Sequence, residues 1–405
     1  VVFLKEGIYS LSDFLKIDQS SILVMGSGWA SVLQPVGDTS TGNIIELGYN
    51  DIYDIFIKNL KIDGTNVTTG YAVWIRGGDS TANKIVDRFG VQNCFLYNCY
   101  RGITNYGGYL TDIDNYHKAI FYGNMFLGNR AEKACITKHV VTNIDTWIVC
   151  NNYAKDCYDN FRGAGVICDN VAINSGELHA HRVVANNFLY YDSYVTFGFL
   201  EGQILANNYL LDSYIAPYAY DRAYRAIINN YIDVNSRARH GMRLPPGTYN
   251  YIANNTIKNA GYNGMLLDRI RSSIIENNEI INPSAYASGY NGILLTDDGT
   301  TFSTDNRLRN NTIIDSANNM DYGIAENAAD DDYNIYLNNY IEGAATAAMN
   351  ILGAHSLVRN NFGFSNVKTV TEDYTMTWAD EIILANASSA PLKIILPDPA
   401  AYPGY

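Results

Sequence analysis

Short apolar runs, each bounded by polar residues, recur along the chain, and asparagine marks the boundary between them. Between residues 59 and 360 the pattern of an Asn, two residues and an apolar residue occurs twelve times, at intervals of 21 to 35 residues. A period of this length predicts a stack of supersecondary units. The Asn is doubled in nine copies, which begin at Asn151, Asn186, Asn207, Asn229, Asn254, Asn277, Asn310, Asn338 and Asn360; the single copies are Asn59, Asn93 and Asn124.

The residues beside the doublets are β-branched, aromatic or aliphatic, which predicts strands. In a solenoid of parallel strands, equivalent positions of neighbouring coils lie about 4.8 Å apart. Asn tolerates the left-handed backbone of a tight corner, and its amide can bond to the amides above and below it. The pattern therefore predicts a parallel β-helix of about a dozen or more coils. Asn-rich loops on a β-sandwich would not hold one register over twelve copies.

A second repeat supports the same architecture. The segments AGYNGMLLD (260–268) and SGYNGILLT (288–296) match at an offset of 28 residues, and DYGIAEN (321–327) resembles both. The alignment predicts a second corner column made of Gly264, Gly292 and Gly323, and a solvent-facing column made of Asp268, Thr296 and Asn327.

Residues 100–182 are less regular. The 35-residue interval from Asn151 to Asn186 and the segment 101–118 predict loops that leave the coil. In repeat proteins such insertions often build the binding face.

Two segments resemble known families. Residues 1–35, with the turn Gly26-Ser27-Gly28, and residues 44–75 resemble the first coils of the pectate-lyase-like superfamily. That resemblance implies an all-β, right-handed parallel β-helix, which we expect over residues 1–368. Residues 369–405 (DYT…DEIIL…APLKIILPDPAAYPG) resemble the start of a small β module near the C-termini of bacteriophage and related viral tail fibres and tail spikes. We expect this module to be truncated at Tyr405.

Composition limits the classes of partner. Apolar residues form 47% of the 405 residues, and 28 Lys and Arg stand against 41 Asp and Glu, for a net charge of −13. Nucleic-acid binding needs a basic stripe, so nucleic acid is not an expected partner. No run of 18 apolar residues occurs, so we expect no membrane insertion.

Six cysteines lie within 75 residues, at Cys94, Cys99, Cys135, Cys150, Cys157 and Cys168. They form no CxxC motif, and no His stands at zinc-finger spacing, which argues against a structural zinc site. Two alternatives remain open at this point. The cysteines are buried as small apolar residues in neighbouring coils, or one or two disulfides brace an extracellular solenoid.

Tyrosines crowd into residues 190–224, and sugars present apolar C–H faces that suit such amphipathic rings. Tyrosine also favours strands, so a structural role is the alternative. The candidate substrate-binding residues are Tyr191, Tyr194, Tyr214, Tyr218, Tyr220 and Tyr224.

Hydrolysis of a glycosidic bond needs two carboxylates roughly 5–9.5 Å apart, a separation that one or two coils supply. Glu201 and Asp221 are the candidate catalytic pair. Further carboxylates considered are Glu177, Asp212, Asp268 and Glu326. Solvated acidic side chains are the alternative for each of them.

Lyase or epimerase chemistry instead needs a base and a cation that neutralises a uronate carboxylate. His240 and Arg243, with Arg237 and Arg239 just before them, are the candidate residues, and the patch 179–182 (His-Ala-His-Arg) comes second. Neither matches a known catalytic motif of such enzymes. No cofactor is expected, although calcium stays open at the acidic turns 297–299 and 330–332, which lack EF-hand spacing.

The resemblance implies a viral tail-spike or tail-fibre protein, a homotrimer located outside the cell or on the virion tail. Such a protein would bind, and in the catalytic case depolymerise, a host cell-surface polysaccharide. Two alternatives are a secreted polysaccharide lyase, epimerase or glycosidase of cellular origin, and a non-catalytic adhesin or filament protein. The sequence leaves open whether the chain is an enzyme.

Overall fold

The computed structural model describes residues 1–75, 86–104, 119–129, 135–137, 147–157, 161–174, 176–191, 194–197, 202–216, 222–363, 367–375, 382–386, 388 and 391–396. The chain is a right-handed parallel β-helix, as predicted, and its two compact units span Val1–Tyr218 and Ala219–Tyr405. The described residues contain strands and turns and no helix, and so no apolar helix long enough to cross a membrane.

The strands of the first unit are β1 (Val2–Leu4), β2 (Gly7–Leu11), β3 (Leu15–Ile17), β4 (Leu23–Gly26), β5 (Ser31–Pro35), β6 (Ile45–Leu47), β7 (Ile52–Lys58), β8 (Lys61–Asp63), β9 (Tyr71–Ile75), β10 (Val86–Gln92), β11 (Phe95–Tyr97), β12 (Arg101–Thr104), β13 (Ala119–Tyr122), β14 (Met125–Leu127), β15 (Ile136–Thr137), β16 (Trp147–Cys150), β17 (Tyr153–Lys155), β18 (Phe161–Cys168), β19 (Val171–Ile173), β20 (Glu177–Ala185), β21 (Phe188–Tyr190), β22 (Tyr194–Phe197), β23 (Ile204–Ala206), β24 (Tyr209–Leu211) and β25 (Tyr214–Ile215).

The strands of the second unit are β26 (Arg222–Ala223), β27 (Ala226–Ile228), β28 (Tyr231–Asp233), β29 (Met242–Leu244), β30 (Gly247–Thr248), β31 (Tyr251–Ala253), β32 (Thr256–Lys258), β33 (Met265–Asp268), β34 (Ile270–Arg271), β35 (Ile274–Glu276), β36 (Glu279–Ile281), β37 (Ile293–Thr296), β38 (Arg307–Arg309), β39 (Thr312–Ile314), β40 (Met320–Glu326), β41 (Ile335–Leu337), β42 (Tyr340–Glu342), β43 (Ala344–Asn350), β44 (Leu357–Arg359), β45 (Val367–Val370), β46 (Tyr374–Thr375), β47 (Ile382–Ala385) and β48 (Ile394–Ile395).

The last four strands form two separate parallel pairs, β45 with β47 and β46 with β48. Both pairs fall at or after residue 367, where the sequence predicts a change from β-helix to C-terminal module. The predicted boundary between residues 368 and 369 stays a prediction.

The core is built from strands whose side chains alternate in direction. In a typical three-residue strand the middle side chain points inward and the two beside it point outward. The inward residues stack coil upon coil as continuous columns. In the second unit one such column consists of Ile232, Ile257, Ile280, Ile313 and Ile341, all at most 2% exposed. Burying each of these side chains contributes about 1.5–3 kcal/mol relative to leaving it in water.

The two positions of each Asn doublet have different roles. The first Asn of all nine doublets takes the left-handed conformation, with φ between 54° and 59°. The second Asn is buried and bonds to its equivalents in adjacent coils. Asn278, for example, accepts from the backbone N–H of Asn255 at 3.0 Å, and its Nδ2 donates to Asn311 Oδ1 at 3.0 Å. The predicted corner and the predicted amide ladder are therefore both confirmed.

The loop predicted between Asn151 and Asn186 is wrong, because a complete coil lies there. Asp169 takes the left-handed position at φ 55°, and Asn170 is a buried rung of the ladder. Asn170 Oδ1 accepts from the N–H of Asn152 at 2.9 Å, and the N–H of Asn170 donates to Asn187 Oδ1 at 3.0 Å. The 35-residue interval is thus two short coils. Of the other predicted insertion, residues 105–118 lie outside the described residues.

Gly264, Gly292 and Gly323 form one column, as predicted, but they are not corners with left-handed backbone. Gly264 and Gly292 immediately precede β33 and β37, and Gly323 lies within β40. All three pack closely on isoleucines of the opposite sheet. A Cβ on Gly264 would lie 2.5 Å from Ile280 Cγ2 and 2.7 Å from the carbonyl oxygen of Gly292. These positions therefore need glycine for lack of space.

The cysteines follow both alternatives at different positions. Cys150 and Cys168, partners in the register of β16 and β18, form a disulfide between neighbouring coils with a Cα–Cα distance of 4.8 Å. The thiols of Cys94, Cys99, Cys135 and Cys157 are buried.

Candidate functional site

An imidazole and three tyrosine rings meet in the second unit. The ring of Tyr262 lies 4.5 Å from that of Tyr290, 5.5 Å from that of His240 and 6.2 Å from that of Tyr286, measured between centroids. His240 lies 6.5 Å from Tyr290. We call these four residues the His240 cluster.

The coil register brings the cluster together. Met242 of β29, Met265 of β33 and Ile293 of β37 are consecutive partners in one sheet. Tyr262 and Tyr290 each stand three residues before their strand's partner residue, so they lie one coil apart in the same column. His240 precedes Met242 by two residues and faces both rings.

His240 has an unusual environment for an imidazole. Its Nδ1 is buried and has no hydrogen-bond partner among the described residues. Burial, with a further effect from the charge of Arg243, lowers the pKa of His240 to about 4. The ring is therefore neutral near pH 7 and keeps a lone pair that can accept a proton or a hydrogen bond.

Arg243 lies on β29 and is exposed. Leucines occupy the equivalent position in the next two coils, Leu266 first and then Leu294. Within the part of the chain that the structure describes, Arg243 takes part in no ion pair. The His240 cluster thus combines aromatic surface with a neutral base, and Arg243 adds a cation available to an anionic ligand.

The tyrosines predicted to bind substrate occur in separate pairs. In the first unit Tyr194 stacks on Tyr214 at 5.5 Å, and the exposed Tyr191 lies 6.3 Å from Tyr190. In the second unit the exposed Tyr224 stacks on Tyr249 at 5.3 Å. The remaining predicted residues, Glu201, Tyr218, Tyr220 and Asp221, lie outside the described residues. The predicted carboxylate pair and its joint site with the tyrosines stay predictions.

Other carboxylates named from the sequence are engaged in the fold. Glu177 is buried, accepts a hydrogen bond from Thr196 Oγ1, and lies 3.3 Å from His179 Nδ1. Asp268 forms an ion pair with Arg269 at 2.8 Å. Glu326 is buried and accepts five hydrogen bonds.

The acidic turns considered for calcium bond to their own backbone and neighbours. Asp298 accepts from the N–H groups of Thr300 and Thr301 and pairs with Arg269. Asp331 is buried and accepts from the N–H of Ser303 at 2.7 Å, and burial raises its pKa to about 6.

Sequence reasoning found His240 and Arg243 but missed the three tyrosines of the cluster. A signal for two of them existed, because the repeat at an offset of 28 residues aligns Tyr262 with Tyr290. Tyr286 has no counterpart in that repeat, and its contact depends on the path of the turn after β36.

A protein-family model described as periplasmic copper-binding protein (NosD) matches residues 166–390, more than half of the chain. No curated protein matches the chain.

Solved structures share the architecture at low sequence identity. Tailspike protein 3 of bacteriophage CBA120 has a TM-score of 0.55 at 12% identity, covering 92% of this chain and 58% of its own. The pre-mature gene product 12 of bacteriophage phi29 has a TM-score of 0.52 at 11% identity, covering 93% and 56%. The A-module of the Azotobacter vinelandii mannuronan C-5 epimerase AlgE6 has a TM-score of 0.45 at 14% identity, covering 89% and 90%. The chain spans little more than half the length of the two phage proteins, and the likeness to them shows the parallel β-helix fold.

Proposed function

The chain belongs to the family described as periplasmic copper-binding protein (NosD), and on this premise we propose that it binds an acidic cell-surface polysaccharide through the His240 cluster and Arg243. The observation that carries the proposal is the contact of the Tyr262 and Tyr290 rings, 4.5 Å apart between centroids, next to His240. The charge of the exposed Arg243 acts on His240. The finer proposal is a tail-spike or tail-fibre role outside the cell or on a virion, which the resemblance of residues 369–405 supports.

The chemistry of the cluster suits an acidic sugar. Tyrosine rings offer flat apolar faces for sugar C–H groups and hydroxyls for sugar oxygens. The Arg243 guanidinium can pair with a uronate carboxylate through two parallel hydrogen bonds. Tyr262 and Tyr290 lie one coil apart, so one polymer can contact both coils.

Copper is not part of the proposal, because no group of His, Cys, Asp or Glu among the described residues fits it. Copper sites in proteins use imidazole, thiolate or thioether ligands. Among the described residues, one group of three His, Cys, Asp or Glu side chains is close enough together to bind a metal ion. It consists of Cys150, Cys168 and Asp169. Its two cysteines are bonded to each other and offer no thiolate.

A second candidate function is proton abstraction from the bound sugar, as in a lyase or an epimerase. The observation that favours it is the buried Nδ1 of His240 that lacks a partner. A neutral imidazole can take the proton from the carbon next to a uronate carboxylate while Arg243 neutralises the charge that develops there.

Binding to a panel of purified anionic polysaccharides, including alginate and polygalacturonate, tests the proposal. We expect Arg243→Gln to weaken binding by about tenfold or more, which corresponds to about 1.4 kcal/mol. Arg307→Gln is the matched control, because Arg307 is also an exposed strand arginine of the second unit. We expect Tyr262→Ala to weaken binding and Tyr262→Phe to preserve most of it. Equal binding by wild type, Arg243→Gln and Tyr262→Ala would place the site elsewhere.

Product formation separates an enzyme from a binding protein. If His240→Gln retains binding but stops the appearance of new chain ends or epimerised sugar, His240 is the base. If the wild type binds but forms neither new chain ends nor epimerised sugar, the protein is a non-catalytic adhesin.

The tail-spike proposal includes a homotrimer. Light scattering on the full-length protein at micromolar concentration should give three times the mass of the chain. A monomer under these conditions would count against both the trimer and the tail-spike role.

A further inference from the structure

We propose that a groove around Trp29, in the first unit, is a second saccharide site that takes a neutral sugar. This proposal does not depend on acidic-glycan binding at the His240 cluster. Three features carry it: an exposed indole held in place, two corner amides with unused hydrogen-bonding groups, and a lining without charge.

The groove has a volume of about 390 Å³ and is lined by Ser27, Gly28, Trp29, Asn59, Asn93 and Gly123. This volume falls within the range of about 300–1,000 Å³ that is usual for small-ligand sites. No lining residue carries a charged side chain. The lining combines an aromatic ring with amide, hydroxyl and backbone groups, which are the groups that recognise a sugar.

Trp29 is fixed although it is exposed. Its side chain is 45% exposed. The indole Nε1–H donates to the carbonyl oxygen of Asn93 at 3.1 Å, and the ring lies 5.2 Å from that of Phe95 at an angle of 48°. A ring ordered before binding loses little entropy when a ligand stacks on it.

The left-handed corner residues of successive coils form a column, and those that line the groove differ from those further along the unit. Further along the unit the corner side chains bond to one another or to a tyrosine. Asn151 donates to Tyr122 Oη at 2.8 Å, Asn186 donates to Asp169 at 3.0 Å, and Asn207 donates to Asn186 at 3.2 Å.

At Asn59 and Asn93, by contrast, the backbone groups are used and the side-chain amides form no hydrogen bond with any described residue. Both residues take the left-handed corner conformation, with φ of 54° and 52°. Each amide offers two donor hydrogens and an acceptor oxygen, which match the hydroxyls of a sugar ring.

Gly123 keeps the groove open at the next coil. It occupies the same corner column at φ 67°, where the following coils carry a polar side chain. A Cβ at this position would lie 2.3 Å from Asn93 Oδ1. The glycine therefore leaves the Asn93 amide its place and adds no side chain to the groove.

These features select a neutral pyranose. Its C–H face stacks on the indole, and its hydroxyls bond to the amides of Asn59 and Asn93. An anionic sugar would gain no ion pair here, whereas Arg243 offers one in the second unit. The two sites thus have different ligand classes.

A glycan array that carries neutral hexose, deoxyhexose and N-acetylhexosamine oligomers beside uronate oligomers tests the proposal on the full-length chain. We expect the wild type to bind at least one neutral oligomer and Trp29→Ala to bind it at least about tenfold more weakly. Tyr333→Ala is the matched control, because Tyr333 is 55% exposed and stacks on His355 at 4.8 Å but lines neither site. Trp29→Ala should bind uronate oligomers like the wild type, and Arg243→Gln should show the reverse pattern.

Asn93→Asp is a second variant for the case in which Trp29→Ala does not fold. Aspartate accepts the left-handed corner and preserves the backbone carbonyl that holds Trp29, but it removes the amide donor and adds a charge. The same loss of neutral-oligomer binding is expected. The proposal is wrong if the wild type binds no neutral oligomer, or if Trp29→Ala and Asn93→Asp bind it like Tyr333→Ala. Either result leaves the uronate measurement, and so the proposed function, to be judged separately.

Discussion

Two polar groups of the second unit, Glu326 and His240, are withdrawn from solvent in opposite ways. Glu326 is 1% exposed, and its carboxylate accepts five hydrogen bonds of 2.7–3.1 Å. The donors are Tyr336 Oη, Ser356 Oγ, Asn334 Nδ2 and the backbone N–H groups of Leu352 and Gly353. The buried Nδ1 of His240 has no partner among the described residues.

The contrast indicates which group is structural. Buried polar groups are almost always paired, so a fully bonded carboxylate is explained by the fold itself. An unpaired buried nitrogen beside the rings of Tyr262 and Tyr290 lacks that explanation, which is why we propose it as part of a ligand site. We therefore assign Glu326 to the stability of the coils and keep His240 as the residue proposed for the site.

The largest effect is expected from Glu326→Ala. Five donors, most of them buried, would lose their acceptor, and we expect the free energy of unfolding to fall by about 3–5 kcal/mol. Urea unfolding followed by circular dichroism measures the change. Glu279→Ala is the control, because Glu279 is an exposed strand residue of the same unit and should change stability by less than about 0.5 kcal/mol.

The folded fraction of Glu326→Ala should bind glycan like the wild type. Unchanged stability together with lost glycan release would contradict this assignment and return Glu326 to the list of catalytic candidates.

The fold was predictable because its rule is local and repeated. A corner needs a left-handed residue, and the next position needs a buried amide, so Asn-Asn marks most coils. The coil at Asp169-Asn170 was missed because the first position needs a left-handed backbone, which Asp and Gly adopt as well as Asn. Gly123-Asn124 follows the same rule, since Gly123 takes φ 67° and Asn124 is buried.

The site was only partly predictable. The repeat aligns Tyr262 with Tyr290, but the burial that lowers the pKa of His240 depends on packing in three dimensions. The same limit applies to Glu326, whose donors Leu352, Gly353 and Ser356 lie 26 to 30 residues away in sequence. Sequence alone therefore named His240 and Glu326 as candidates without separating them.

A smaller loss of stability is expected from the amide ladder. In each Asn doublet the second amide is buried in the ladder, and the first lies at the corner. Asn278→Ala removes the acceptor for Asn255 and the donor to Ile252 and Asn311, and should cost about 1–3 kcal/mol. Asn277→Gly is the matched control, because glycine adopts the left-handed conformation at no steric cost. Equal losses of thermal stability in the two variants would show that the buried rung is no stronger than the exposed corner.

The smallest effect is the pH dependence that His240 adds to stability. The pKa of His240 is about 4 in the folded chain, below the value near 6.5 of an unfolded histidine. Between these values the unfolded chain binds the extra proton, so the contribution of His240 is fully present above pH 6.5 and is lost as the pH falls towards 4. Allowing for its partial exposure, we expect a loss on the order of 1 kcal/mol.

The measurement is the difference in unfolding free energy between wild type and His240→Gln at several pH values. Taking this difference cancels the opposite contribution of Asp331, whose pKa is raised. A difference that stays constant from pH 7 to pH 4 would mean that His240 is ordinarily solvated, and the contrast with Glu326 would no longer identify a site.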